Sequence, residues 1–546
     1  MVLTRKVICN SLTFVHVSAL FYTLVLNIAF FRQAYLSLGM ENIKDYLLLI
    51  SFVFFIFCSI NILFSIILIG TLRKLLLVGL LLISAIASYF SFFYNTYIDS
   101  DMIANVFETN VSEAEALITV KFIIWLVIFG VLPSLFIIFN VNFIHNYSWI
   151  KALSFRLINI FVSIVFIVVI YFTFLASYTL FIKSYKDTIK LITPTNYMYG
   201  LIRYIQEVYK THQPFIHLAE DAKRQLRAKG QKKRLLVIVV GETSRAKNFS
   251  LNGYGRETNP LLKQQQGLIN FEYATACGTS TAISVPCMFS AMEQDNYDSG
   301  DAAHQDNLLD ILARVGIKVF WKENDGGCKG VCNRIPFVDI SLIIPKEECP
   351  AGLCYDINLL KGLDSYINKQ PDDSVIVLHT NGSHGPAYYL RYQKAQEKFT
   401  PACKLYQIDN CPVDQLINAY DNTIINVDYM LNATIELLKK HSNNYSIAMF
   451  YMSDHGESLG ENGFYLHGAP YNIAPSEQTH IPMLFWLSDS FVQDKKVNKS
   501  CMANLAKYNK KVSHDNLFHT VLGAMDVSTK VYKAKLDILR ICEQLR

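Results

Sequence analysis

The sequence predicts a five-helix transmembrane domain followed by a soluble α/β sandwich. Three observations predict it. Of the 546 residues, 52% are hydrophobic and the mean hydropathy is positive, more apolar than an ordinary soluble protein. Five long apolar stretches all fall before about residue 182. Beyond residue 234, short Val/Ile-rich runs alternate with amphipathic stretches, the pattern of buried strands and the helices that cover them.

A helix needs about 20 apolar residues to cross the hydrocarbon core of a bilayer. The stretches 11–31, 46–70, 75–94, 122–144 and 157–182 meet that length, and none has a Lys, Arg, Asp or Glu in its middle. The first lies behind Arg5 and Lys6, as a signal peptide would. Its apolar run is longer than a usual signal core and lacks a small-x-small cleavage site, so it reads as a span. Arg5, Lys6, Arg73, Lys74, Lys151 and Arg156 fall on one side of the membrane, and Arg32, Lys44 and Lys121 on the other. The excess favours a cytoplasmic N-terminus. Five crossings then place everything after residue 182 outside the cytoplasm.

Cysteine usage points the same way, because ten of the twelve cysteines lie beyond residue 270. Neighbourhood pairs Cys277 with Cys287, Cys328 with Cys332, Cys349 with Cys354 and Cys403 with Cys411. Such density suits an oxidising compartment. The short spacings are also open to metal ligation, but no histidine or second cysteine pair stands at zinc-finger spacing. Cys501 and Cys542 are a candidate fifth pair, and Cys9 and Cys58 read as membrane residues. A net charge of +5 is too mild to imply nucleic acid.

These features divide the chain into a membrane domain over 1–182, a connector over 183–234 and a soluble domain over 235–546. Within the connector, Tyr197–Tyr209 keeps apolar residues at helical spacing, which fits an interfacial helix or a solvated linker helix. A basic run follows, through Lys223, Arg224, Arg227, Lys229, Lys232, Lys233 and Arg234, and could lie on the membrane surface. In the soluble domain, Leu235–Val240, Ile317–Trp321, Ser374–Leu378 and Ser446–Met452 read as largely parallel strands. Leu308–Val315, Val413–Lys440 and Asn516–Leu522 read as helices on the two faces of the sheet.

In such sheets chemistry gathers beyond the carboxyl ends of the strands. Two of these ends carry metal-competent side chains: Glu242 after the first strand, and Asp454 and His455 after the fourth. Adjacent residues on an extended strand face opposite ways, so Asp454 and His455 can address one ion only through a turn, which Gly456 permits. Carboxylates with one imidazole suit zinc or manganese. A third segment, Cys277-Gly278-Thr279-Ser280-Thr281, is a hydroxyl-rich turn entering a helix. Hydroxyls there are ordinarily caps, yet the same place offers amides to an anion, and a metal-bound Thr or Ser could act as a nucleophile.

Together with Gly241-Glu242-Thr243-Ser244-Arg245, Ser383-His384-Gly385-Pro386, the run Ser453 to Glu461, Tyr465-Leu466-His467-Gly468 and Ser513-His514-Asp515-Asn516-Leu517-Phe518-His519, this segment resembles the phosphoethanolamine transferases. That family includes the chromosomal lipid A modifying enzymes and the mobile colistin resistance enzymes. The resemblance covers essentially the whole chain, the five-span anchor included. It implies an alkaline-phosphatase/sulfatase-like catalytic domain in which Glu242, Thr281, Asp454 and His455 ligate zinc and Thr281 is the nucleophile. It places His384 and His467 beside the substrate phosphate, where either protonates a leaving alkoxide or binds a second zinc. It makes Lys329, between Cys328 and Cys332, a phosphate contact, and brings Asn105, Thr109 and Glu113 to the lipid head group. By spacing alone those last three form a polar helical face.

The implied function is transfer of phosphoethanolamine from phosphatidylethanolamine to lipid A, by a monomer in a bacterial inner membrane with its catalytic domain in the periplasm. Rival readings are a phosphoglycerol transferase, a sulfatase-like hydrolase, transfer to core sugar, and a non-enzymatic lipid receptor. The sequence departs from the family pattern at Gly326, where a serine is common, with Asp325 beside it as a substitute contact, and at Asn381, where an apolar residue is expected. Asn381-Gly382-Ser383 is a glycosylation sequon by coincidence. His514, Asp515 and His519 read as a helix start and its packing.

Overall fold

The structure, a computed structural model, describes residues 6–40, 42–109, 114, 115, 117–143, 149–209, 214–225, 230–349, 354–405 and 408–543. The chain separates into two compact units, Met1–Ile103 with Ile118–Arg203, and Ala104–Leu117 with Tyr204–Arg546.

In the first unit, four helices among the described residues are long and apolar enough to cross a membrane: Ile43–Ile67, Arg73–Tyr94, Val120–Asn140 and Trp149–Thr173. The pair Ser11–Leu26 and Ile28–Leu38, bent by 53°, counts as a fifth if it crosses as one. Asn27 accounts for the bend. Its buried amide donates to the carbonyls of Tyr22 and Thr193, and its Oδ1 accepts from the Thr193 N–H, so a side chain enters the helical ladder. The last helix starts earlier than its apolar run. Arg156 lies within it because the guanidinium, buried, donates to the Ser65 and Leu68 carbonyls at the end of Ile43–Ile67, which would otherwise lack partners.

The second unit is built on a seven-stranded sheet of β1 (Lys233–Gly241), β2 (Leu268–Phe271), β3 (Lys318–Glu323), β4 (Phe337–Asp339), β5 (Ser374–His379), β6 (Tyr445–Ser453) and β7 (Met483–Leu487), in the order β2-β7-β6-β1-β5-β3-β4. The four strands expected from sequence are β1, β3, β5 and β6, and all run parallel. The sheet is mixed, because β7 and β2 add antiparallel strands at one edge. Alternation along β1 shows why both faces are covered. Leu236, Ile238 and Val240 enter the core on one face; Leu235, Val237 and Val239 enter the core on the other, against the long helix Val413–Lys439.

The connector behaves differently from its charge pattern. Its helix, Thr195–Tyr209, is amphipathic, with Tyr199 and Ile202 exposed. Part of the basic run has protein partners: Arg224 pairs with Asp372 and Asp373, and Arg234 is buried against Asp494 and Asp526. Lys232 and Lys233 donate to the Ser442 and Gln370 carbonyls. Arg227 and Lys229 lie outside the described residues. The four neighbouring cysteine pairs and Cys501–Cys542 are all bridged, with Cys9 and Cys58 free.

Because β1 is buried on both faces, Leu236→Ala, at a site with no exposure, should destabilise the protein by about 2–5 kcal/mol. Thermal unfolding of the detergent-solubilised protein reads this as a lower midpoint with the membrane helices retained; an unchanged midpoint would contradict the core position.

Candidate active site

Parallel pairing sets the ends of four strands level. Gly241 of β1 is opposite Ser453 of β6, Val240 is opposite His379 of β5, and His379 is opposite Glu323 of β3. The residues that follow β1 and β6 are therefore neighbours, and they are Glu242, Asp454 and His455, all with no exposure. Carboxylate and imidazole atoms of these three lie within 4.8 Å of one another.

Backbone contacts hold this arrangement. Asp454 N–H donates to the Gly241 carbonyl, and Asp454 Oδ1 accepts from the N–H groups of Thr243 and His455. The turn after Asp454 is possible because of Gly456, but not through a left-handed backbone: a Cβ there would lie 2.0 Å from the Glu477 carbonyl oxygen. Gly382 is constrained twice, by φ +49° and by the Glu242 carbonyl oxygen 2.4 Å from where its Cβ would be.

Thr281 opens the helix Thr281–Met288, after Ser280 in extended conformation. Its hydroxyl donates to Glu242 Oε2 at 3.2 Å and lies 3.4 Å from His455 Nε2. The His455 ring is oriented by Nδ1, 2.9 Å from the Gly456 carbonyl. That contact makes Nδ1 the protonated nitrogen and leaves the Nε2 lone pair facing Asp454 Oδ2 at 3.2 Å and Glu242 Oε1 at 3.6 Å. Burial lowers the His455 pKa, which favours the neutral ring. Asp454 Oδ2 is buried and accepts no hydrogen bond from the described residues. Two buried carboxylates, a neutral imidazole and a hydroxyl at one point form a donor set that fits a divalent metal ion.

The turn that carries Thr281 is fastened from several directions. Cys277–Cys287 bridges it to its own helix, Thr279 donates to the Ala469 carbonyl, and Gly468 N–H donates to the Thr279 carbonyl. His514 adds a connection that its reading as a helix start does not include. Burial pushes its pKa down to about 4, so the ring is neutral. Nδ1 accepts from the Cys277 N–H at 3.1 Å, and Nε2 donates to the Ser453 carbonyl at 2.9 Å, joining the Thr281 turn to the end of β6.

His384 and His467 lie beside this centre. The His467 ring is 4.5 Å from that of His455 and 5.3 Å from that of His384, centroid to centroid. Glu457 backs His467 through Nδ1 at 2.9 Å while accepting from the Tyr388 hydroxyl. Burial, then the nearby Arg391, holds His384 well below the usual histidine pKa. Lys329 is half-buried, with φ 48° inside the Cys328–Cys332 loop. Asn105 lies on the helix Ser100–Glu108, and Thr109 just beyond it donates both N–H and hydroxyl to the Asn105 carbonyl. Glu113 lies outside the described residues.

Asn381 is polar for a local reason. Its amide donates to Asp325 at 3.2 Å, its Oδ1 accepts from Arg391, and its own N–H donates to Asp356. It is buried, which closes the sequon. Single-sequence reading gave no role to Glu323, Arg391 or Glu457, or to His379 and Asp325 as a facing pair. Strand register is what brings His379 to Asp325.

A family model described as phosphoethanolamine transferase EptA/EptB matches residues 56–209, and one described as sulfatase matches residues 234–527. Phosphoethanolamine transferase EptA of Escherichia coli K12 is 40% identical over 544 residues, 100% of this chain and 99% of that protein. Phosphatidylethanolamine transferase Mcr-1 of Escherichia coli is 37% identical over 478 residues, 86% of each. The solved integral membrane lipooligosaccharide phosphoethanolamine transferase A from Neisseria meningitidis superposes with a TM-score of 0.95 at 39% identity, covering 98% of this chain and 100% of that one. The chain belongs to the phosphoethanolamine transferases, membrane enzymes in which apolar N-terminal helices precede a sulfatase-type domain.

Proposed function

We propose that this transferase moves phosphoethanolamine from phosphatidylethanolamine to a lipid A phosphate at the outer face of a bacterial inner membrane, with zinc held by Glu242, Thr281, Asp454 and His455. The observation that carries the reading is the Thr281 hydroxyl, set at a helix start between a carboxylate and a neutral imidazole. Relatives named for phosphatidylethanolamine and for lipooligosaccharide support the donor and the class of acceptor. When bound, zinc supplies a Lewis acid that lowers the hydroxyl pKa and takes up charge on the phosphoryl oxygens.

In the first half-reaction the Thr281 Oγ1–H proton passes toward Glu242, which already accepts it as a hydrogen bond. Oγ1 bonds to phosphorus while the bond to the diacylglycerol oxygen breaks. His467, backed by Glu457, protonates that oxygen. His384, held neutral, is suited to hold a second zinc instead. In the second half-reaction a lipid A phosphate gives its proton to His467, its oxygen bonds to the same phosphorus, and the Thr281 oxygen leaves, recovering its proton from Glu242. Lys329 and the amides of the Thr281 helix stabilise charge on the phosphoryl oxygens. Asn105, Thr109 and Glu113 meet the lipid head group, Glu113 attracting its ammonium.

The reading places the soluble unit in the periplasm and the protein as a monomer. It also has a physiological consequence. A phosphate monoester carries about −1.5 to −2 at neutral pH; capped with phosphoethanolamine it becomes a diphosphate whose two single negative charges are opposed by one ammonium, a net charge of about −1 that stays there as pH rises through neutrality. Polymyxins, being cationic, lose part of their target.

Intact-mass spectrometry after incubation with phosphatidylethanolamine should show one phosphoethanolamine adduct on the wild type and none on Thr281→Ala, with Ser280→Ala still labelled. An adduct on Ser280 would move the nucleophile. Asp454→Ala should lower zinc content and turnover by more than the roughly 10–100-fold typical of losing an outer-sphere partner; undiminished zinc would remove Asp454 from the ligand set. In a susceptible Gram-negative host, wild type should raise polymyxin resistance and add phosphoethanolamine to lipid A, while Thr281→Ala does neither. Label on core sugar alone would replace the acceptor, a phosphoglycerol product would replace the donor, and free phosphoethanolamine would favour a hydrolase.

A further inference from the structure

We propose that Glu242, Asp325 and His379 hold a second divalent cation on the opposite side of β1 from Asp454 and His455, with Glu242 shared between the two sites. Imidazole and carboxylate atoms of these three residues lie within 4.8 Å of one another, and all three side chains are buried. They come from adjacent parallel strands: Glu242 follows β1, His379 ends β5, and Asp325 lies two residues beyond the end of β3. The arrangement repeats, on the other flank of β1, the carboxylate-and-imidazole set that β6 supplies.

His379 is the residue that points to a ligand. Its Nδ1 lies 2.9 Å from Glu323 Oε2 and donates to it; Glu323 accepts as well from the Trp321 indole N–H and the Asp325 backbone N–H. Its Nε2 has no exposure, makes no hydrogen bond among the described residues, and faces Asp325 Oδ2 at 3.8 Å, too far for one. A carboxylate on the far nitrogen is the arrangement that orients a metal-bound imidazole and raises its basicity. Buried and beyond hydrogen-bond reach of Asp325, the near nitrogen gives up its solvation for no hydrogen bond in return. Glu242, Asp325 and Glu323 also surround the one imidazole with three buried carboxylates, an accumulation of negative charge that a divalent cation offsets. Two carboxylates and an imidazole suit zinc or manganese.

This site is separate from the His384–His467 pair, and it rests on the proposed zinc centre only through the sharing of Glu242. The test is metal content per chain by plasma mass spectrometry on full-length protein in detergent, stripped with chelator and dialysed against zinc or manganese. Asp325→Asn is the first variant, since its Oδ1 can still accept from Asn381, and His379→Gln is the second. Each should hold about one equivalent less than wild type while keeping the equivalent that Asp454→Asn removes, which also shows the variant folded. Manganese-loaded wild type should give the paramagnetic resonance of a coupled pair, and Asp325→Asn that of an isolated ion. The proposal is overturned if both variants match wild type in both metals, or if the extra equivalent disappears with His384→Ala and His467→Ala but not with Asp325→Asn. Unchanged metal content in Asp454→Asn would count against the first centre alone.

Discussion

Two carboxylates with no solvent contact, Glu242 and Asp454, lie against one imidazole at the centre of the soluble unit. Buried like charges repel strongly and forfeit hydration, so the surroundings must supply compensation at fixed positions. Much of the local structure can be read as that compensation. Backbone N–H groups of Thr243 and His455 address Asp454, the Thr281 hydroxyl addresses Glu242, and the His455 ring is turned by the Gly456 carbonyl. The tight backbone approaches at Gly382 and Gly456 leave no room for side chains in the turns that do this. A site prepared for a cation also places a weakly acidic hydroxyl where a cation can activate it, so the constraint on stability and the proposed chemistry coincide.

The turn that carries Thr281 is short, and a short turn on its own would not hold a hydroxyl to a fraction of an ångström. Its position comes from distant parts of the chain. His514 ties it to β6, Ala469 and Gly468 tie it to the segment bearing His467, and a disulfide ties it to its helix. Displacement of any one of these partners would move the Thr281 hydroxyl relative to the carboxylates. Preorganisation of this kind limits the motion required during reaction.

The membrane unit uses polar residues for architecture. Asn27 bends the first apolar segment by replacing backbone partners, and Arg156 satisfies carbonyls at the end of a neighbouring helix. In hydrocarbon, where water cannot satisfy a freed carbonyl, such substitutions decide where helices bend and end. Hydropathy averages over about 20 residues and is blind to them.

The amino-acid sequence by itself determined the division into an apolar anchor and an α/β domain, the four central parallel strands and the family, and it suggested cysteine pairs whose connectivity the structure then decided. Each of these depends on local pattern: run length, Val/Ile content, nearness of cysteines along the chain, or motifs in fixed order. The motifs also named Glu242, Thr281, Asp454, His455, His384 and His467, which the structure gathers in one place. Only the tertiary structure decided the antiparallel edge made by β7 and β2, the bend at Asn27, the pairing of Arg224 and Arg234 with acids far along the chain, and the roles of His514, Glu457 and His379. Those depend on strand register, on contacts between separated segments or on a single side chain, and no periodicity in the sequence records which segment will arrive opposite which.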